Sequence, residues 1–142
     1  MSHVVSMRLK DDQIERLQRI ARRIGRTTSE ASALLIEEAL RQNEFAHIEF
    51  RESPVGRQAY IKGTRLAVWQ VVMIGREYEM DATKTAEYFN WPLGRVKAAF
   101  SYAEAFAVEI DLALKDADSM DDAAVLSRLL PELEIFTALF NL

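Results

Sequence analysis

Ser6 and Arg8 stand two residues apart in the run His3-Val4-Val5-Ser6-Met7-Arg8-Leu9. Two is the period that puts side chains on one face of a β-strand. From Val5 onward, Val5, Met7 and Leu9 point one way, while Val4, Ser6 and Arg8 point the other. The second face offers a hydroxyl and a guanidinium, both able to hydrogen-bond an outside partner. Further basic chemistry follows at once. Residues 1–29 hold seven Lys or Arg (Arg8, Lys10, Arg16, Arg19, Arg22, Arg23, Arg26) against Asp11, Asp12 and Glu15, a net charge of +4. A basic front suits a polyanion. Other chemistries have little to stand on. With no cysteine in 142 residues there is no disulfide, thiolate metal site or cysteine nucleophile. His3 and His47 are far apart in sequence and lack the neighbouring groups that catalysis or metal binding needs.

The elements that position these residues can be read from periodicity. Asp11 or Asp12 can cap a helix running to about Ile24, in which Ile14, Leu17, Ile20 and Ile24 recur at spacings of three and four. Gly25 supplies a stop, and Thr27, Thr28 and Ser29 supply the next N-cap. Ala31, Leu34, Leu35, Ala39 and Leu40 continue a second helix. Arg16, Arg19, Arg23 and Arg26 share one face of the first helix, a pattern that also describes a plain solvated exterior. One strand and two helices are not self-sufficient. A lone strand leaves backbone groups unpaired on both edges, and about 45 residues make a small core. A dimer answers both difficulties. Two copies of the strand pair antiparallel, the helices interlock beneath, and the outer face of the ribbon carries Val4, Ser6 and Arg8 from each chain. A two-stranded ribbon fits the major groove.

The run VVSMRLKDDQIERLQRIARRIGRTTSEASALLIEEAL resembles the ribbon-helix-helix family of bacterial repressors and antitoxins. The resemblance lies in the strand, in RLKDD at the helix start, in the GRTTS turn and in the apolar second helix. It implies that Val4, Ser6 and Arg8 read bases in double-stranded operator DNA, with Arg8 able to take a guanine bidentately and Val4 able to meet a thymine methyl. It also implies that Thr27, Thr28 and Ser29 grip a phosphate at the N-terminus of the second helix.

Residues 43–67 change character. Residues 46–51 alternate as a short strand, Ser53-Pro54-Val55-Gly56 marks a turn, and Gln58–Ile61 is the return strand. Lys62-Gly63-Thr64-Arg65 is a tight connection, with Thr64 and Arg65 expected to be structural and Arg65 to pair an acid. The pattern then predicts a helix over Leu66–Tyr78 and a short one from an Asp81 cap to about Phe89. Asn90-Trp91-Pro92 is a break. A long helix is expected over Leu93–Ile110, with Val96, Ala99, Phe100, Ala103 and Ala107 inward. Three helices with a short middle one make a helix-turn-helix-like bundle. The strings YIKGTRLAVWQVV and DATKTAEYFNWPLGRVKAAFSYAEAF resemble a small family of uncharacterised, antitoxin-like bacterial domains (the DUF433-like type) encoded beside toxins of a PIN-like ribonuclease fold. Trp91 departs from that family's usual turn.

Residues 111–142 hold Lys115 and Arg128 against seven acids, a charge of −5, among many large apolar residues. Asp121-Asp122 can start a helix, and Pro131 interrupts it. Such a tail suits a protein surface better than DNA, either its own middle domain or dimer mate, on which it packs back, or the groove of a partner protein. Leu126, Arg128, Leu129, Leu130, Phe136 and Phe140 are the candidate toxin-binding residues, Arg128 by resemblance to antitoxins that place an arginine in the toxin's acidic metal site.

The expected fold is therefore mainly α with a short N-terminal strand. A ribbon-helix-helix dimer occupies 1–43, a β-hairpin with a three-helix domain 46–110, and an acidic helical tail 111–142. No apolar run approaches the roughly 20 residues of a membrane span, and no secretory signal is evident, so the expected compartment is the cytoplasm. There is no nucleophile–base constellation, phosphate loop or metal spacing, so neither an enzyme nor a cofactor is expected. The function expected is an antitoxin, a homodimer or higher even oligomer that represses its own operon and silences a PIN-like ribonuclease. The alternative is a stand-alone dimeric repressor with a C-terminal oligomerisation or sensing domain.

Overall fold

A computed structural model describes residues 1–129, with side chains as far as Asp118. The element order is α1 (Asp11–Ile24), α2 (Thr28–Glu44), β1 (Ile48–Ser53), β2 (Gly56–Ile61), α3 (Val68–Glu77), α4 (Ala82–Phe89), α5 (Leu93–Ala105) and α6 (Ala107–Leu129). The chain is mainly helical, with one two-stranded antiparallel hairpin.

Each front helix begins and ends on a local signal. The N-cap of α1 is Lys10, not an aspartate; its N–H donates to Gln13 Oε1 at 2.9 Å. Asp11 and Asp12 instead occupy the first turn and Arg22 and Arg23 the last, each sign facing the end of the helix dipole that it stabilises. Gly25 closes α1 with φ +67°, and the Arg26 N–H reaches back to the Ala21 carbonyl at 2.9 Å. Ala21 of α1 and Ala31 of α2 are 3% and 0% exposed. Ile14, Leu17, Ile20, Ile24, Leu34 and Leu35 of the two helices are only half-buried. The strand expected over residues 3–9 is not formed in the single chain. Residues 1–10 carry no regular structure, because a strand needs a second ladder of N–H and C=O groups to pair with.

The hairpin pairs Ile48 with Ile61 at its open end and Ser53 with Gly56 at its tip. Both strands run closer to the turn than the sequence pattern predicts. Ser53 Oγ donates to the Gly56 carbonyl at 2.7 Å and closes the loop. Beyond it, Thr64 folds the connection: its hydroxyl donates to the Ile61 carbonyl at 2.8 Å and accepts from the Leu66 N–H at 3.1 Å, beside Gly63 at φ +80°. Arg65 is exposed and makes no ion pair among the described residues.

The rear core joins Ile48 and Ile61 of the hairpin to Val68, Val71 and Val72 of α3, Ala86 of α4, Val96, Ala99 and Tyr102 of α5, and Ile110 of α6. The expected helix over 93–110 is broken. Phe106, at φ −123° and ψ 47°, ends α5 and starts α6 in a new direction. As a result Ala107 is exposed, and Ile110 reaches the core from α6. From there α6 is one helix of 23 residues. It runs through the expected boundary at 110/111 and through Asp121-Asp122, where a separate helix start was expected.

Gly75 of α3 lies against Phe100 of α5, so close that a Cβ would sit 2.7 Å from the ring Cζ. Gly75→Ala should therefore be overpacked by about 1–3 kcal/mol, outweighing alanine's roughly 1 kcal/mol gain in helix propensity. Gly94→Ala meets nothing within 4 Å and should stabilise by about 0.4–1 kcal/mol. Urea midpoints of the two variants should move in opposite directions.

Candidate nucleic-acid interface

Val4, Ser6 and Arg8 lie in the arm that leads into α1, and all of residues 1–10 are exposed. Val4 is 95% and Met7 62% exposed. Ser6 and Arg8 form no hydrogen bond or ion pair among the described residues, so their donors are available. The alternating faces of the arm are thus both wet in the single chain. Behind Leu9, a shallow hollow of about 260 Å³ is lined by Gln13, Arg16, Leu17, Ile20 and Leu35.

At the far end of α1 the chain turns into the start of α2. Thr27 is the N-cap. Its Oγ1 accepts from the Glu30 N–H at 3.1 Å, while Glu30 Oε1 takes the Thr27 hydroxyl at 3.0 Å. These bonds from Thr27, with a smaller contribution from Arg26, hold the Glu30 carboxyl below the usual glutamate range. No protein acceptor takes the N–H of Thr28 or Ser29 among the described residues, as expected for the first turn of a helix. The structure thus places Thr27, Thr28 and Ser29 together with two free amides, about one length of α1 away from the arm.

The arginine stripe divides into paired and free members. Arg23 Nε donates to Glu52 at 2.8 Å, Arg26 to Glu30 at 3.3 Å, and Arg16 stands 4.0 Å from Asp12. Arg19 of the stripe, and Arg22 outside it, are exposed and pair with no acid among the described residues. The sequence pattern did not reveal the two ties behind this surface. Arg57 of β2 grips Glu38 of α2 through two nitrogens, at 2.6 Å to each carboxylate oxygen. Glu38 is buried, and its hydrogen bonds raise the pKa of Arg57. Arg41 of α2 donates to Glu37, to Tyr102 Oη at 2.7 Å and to Glu109 at 2.9 Å, and lies 3.7 Å over the Phe106 ring. Burial opposes the Arg41 charge, but the bonds to Glu109, Glu37 and Tyr102 outweigh it. Burial and then Glu109 push the Tyr102 phenol up. One signal was available. Glu38 falls on the Ala31, Leu34, Leu35 face of α2, and an acid there needs a buried partner.

In the helix-turn-helix-like segment Lys84 and Lys97 are exposed, whereas Arg95 is engaged by a ring. Arg95 lies 5.4 Å over Trp91, which stacks on Phe89 at 4.6 Å. Of the candidate toxin-binding residues, Leu126, Arg128 and Leu129 lie on the backbone of α6, with side chains beyond those described. Leu130, Phe136 and Phe140 lie outside the described residues. No helix among the described residues is long and apolar enough to cross a membrane. Comparison with protein families, with curated proteins and with solved structures finds no match. The two family resemblances therefore stand on the residues alone.

Removing one member of a buried ion pair strands the other charge, at a cost of about 3–5 kcal/mol. Glu38→Ala should approach the lower end of that range, since the Arg57 side chain is 20% exposed. An E38L/R57L double variant should recover much of the loss. Denaturant titration of the three proteins checks both statements.

Proposed function

We propose that the chain is a DNA-binding dimer of ribbon-helix-helix plan that serves as an antitoxin, repressing its own operon and silencing a PIN-like ribonuclease encoded beside it. The observation that carries the reading is the unfinished front half. An arm with four large apolar residues between Val4 and Leu9, from 37% exposed at Leu9 to 95% at Val4, precedes a helix pair whose apolar stripe is half-covered. Soluble chains rarely leave such a surface open without a partner. A second copy of the same arm supplies the missing strand, and its helices supply the missing wall. In that arrangement Ser6 and Arg8 face outward, and the free cations of α1 lead from them to the open amides of Thr28 and Ser29. These are the groups that position a protein on phosphates and read bases.

The partner half of the reading draws on a different surface. Val108 and Leu112 of α6 are 75% and 57% exposed. They border a cleft of about 790 Å³ that also includes Trp69, Phe106, Arg41 and Glu109. That face is apolar, with mixed charge at its rim, and suits a protein rather than a nucleic acid. Co-expression with the neighbouring gene product tests this half. Co-purification supports it, and a partner-free chain removes it.

Two experiments test the DNA half. In sedimentation at micromolar concentration the full chain should be a dimer, and a chain lacking residues 1–9 a monomer. The same dimer in both would place the interface elsewhere. Arg8→Ala should lose about 1–3 kcal/mol of operator affinity per protomer with an unchanged melting curve. Gel shifts on the DNA upstream of the gene measure it. An affinity equal to wild type would show that the ribbon is not the reader.

A further inference from the structure

We propose that Arg23 is a further phosphate-binding residue of each protomer, and that Glu52 at the hairpin tip is the carboxylate that DNA displaces to reach it. The inference rests on the DNA-binding reading above. The hairpin doubles back along α2. Arg57 of β2 meets Glu38 near the middle of that helix. The tip reaches the turn between α1 and α2, enclosing a cleft of about 520 Å³. Arg23, Ile24, Arg26 and Leu34 line one side of the cleft, and Glu52 and Arg57 the other.

Three guanidinium groups thus share one cleft, and their partners are not equivalent. Arg57 is held by both oxygens of buried Glu38. Arg26 is held by Glu30, which also closes the start of α2. Arg23 has only Glu52 among the described residues, at 2.8 Å. The side chains of Arg23 and Glu52 are 61% and 42% exposed, whereas Arg57 and Glu38 are 20% and 7% exposed. A wet pair is weak and easily exchanged, while a dry bidentate one holds its geometry. The Glu38 bond can therefore keep the hairpin seated while Glu52 gives up Arg23.

Position decides what would replace Glu52. Arg23 lies four residues before the Thr27 cap, across the Gly25 turn from the open amides of Thr28 and Ser29. A phosphate strand passing those amides comes within reach of a guanidinium, which binds phosphate through a planar fork. The same strand repels Glu52. Glu52 thus lowers affinity for any duplex, whatever its sequence, and Arg23 repays part of that loss on contact.

The test uses the full-length chain and a mixed-sequence duplex of about 30 base pairs, because phosphate contacts are sequence-independent. Binding of wild type, E52Q, R23A and R23A/E52Q is followed by fluorescence anisotropy from 50 to 200 mM KCl, with a melting curve for each protein. Over that range wild type should lose about tenfold more affinity than R23A, the expectation for two phosphate contacts with a slope of ~0.9 each. E52Q should bind about three- to tenfold more tightly than wild type at 50 mM salt. That gain should be clearly smaller in R23A/E52Q relative to R23A, where only the repulsion by Glu52 and its 3.7 Å contact with Arg57 are removed. An R23A salt slope equal to wild type, or an E52Q gain just as large without Arg23 as with it, would overturn the inference while leaving the DNA reading in place. A wild-type chain that binds no duplex at all would remove the DNA reading and this inference with it.

Discussion

The bidentate bond between Arg57 and Glu38 fixes how the two halves of the chain meet. It crosses from β2 to the middle of α2 and sets the hairpin alongside that helix. Its value lies in placement more than in stability. A buried ion pair repays its desolvation only partly, but it tolerates few geometries. Arg41, one helical turn further along α2, repeats the principle with Tyr102, Glu109 and the face of Phe106. Between them the two arginines commit the second half of α2 to the hairpin, α5 and α6.

The first half of α2 is left for α1. The helix is thus shared along its length. Ala31 is buried near its start, and Glu38 and Arg41 are engaged by the rear further along. On the proposed reading, a shared helix transmits position. The amides of Thr28 and Ser29 belong to the same rigid rod as Glu38, so the rear domain fixes the angle at which a phosphate would be met. The hairpin tip, anchored by Arg57, then stands beside that contact, which is why one acidic residue there can matter.

Much of this fold was legible in the sequence because local chemistry dictates it. Gly25 with its positive φ, the Thr27–Glu30 box, the Ser53–Gly56 turn and the Asn90 stop are each set by one or two residues. The break at Phe106 was not legible. Glu104, Ala105, Phe106 and Ala107 all tolerate a helix, and the kink follows from tertiary contacts, with Phe106 in edge contact with Phe45 and beneath Arg41. Nor could periodicity find the pairs joining Arg41 to Glu109 or Arg23 to Glu52, which are 68 and 29 residues apart. The inward and outward faces of the arm were read from alternation alone. In the single chain that alternation has no strand to act on, since a ribbon is a property of two chains.

The half-covered stripe on α1 and α2 also bears on time. The rear domain closes on contacts within one molecule, and most of them link neighbouring elements, so its collapse is a first-order event that dilution does not slow. The front has no such privilege on the dimer reading. Its strands and the last wall of its core come from another molecule, and that step is second-order in protein. A newly made chain would therefore possess its rear surface before it possesses a reader of DNA. The interval between the two would lengthen as the protein becomes scarce. Concentration itself would then decide which half of the molecule is in use.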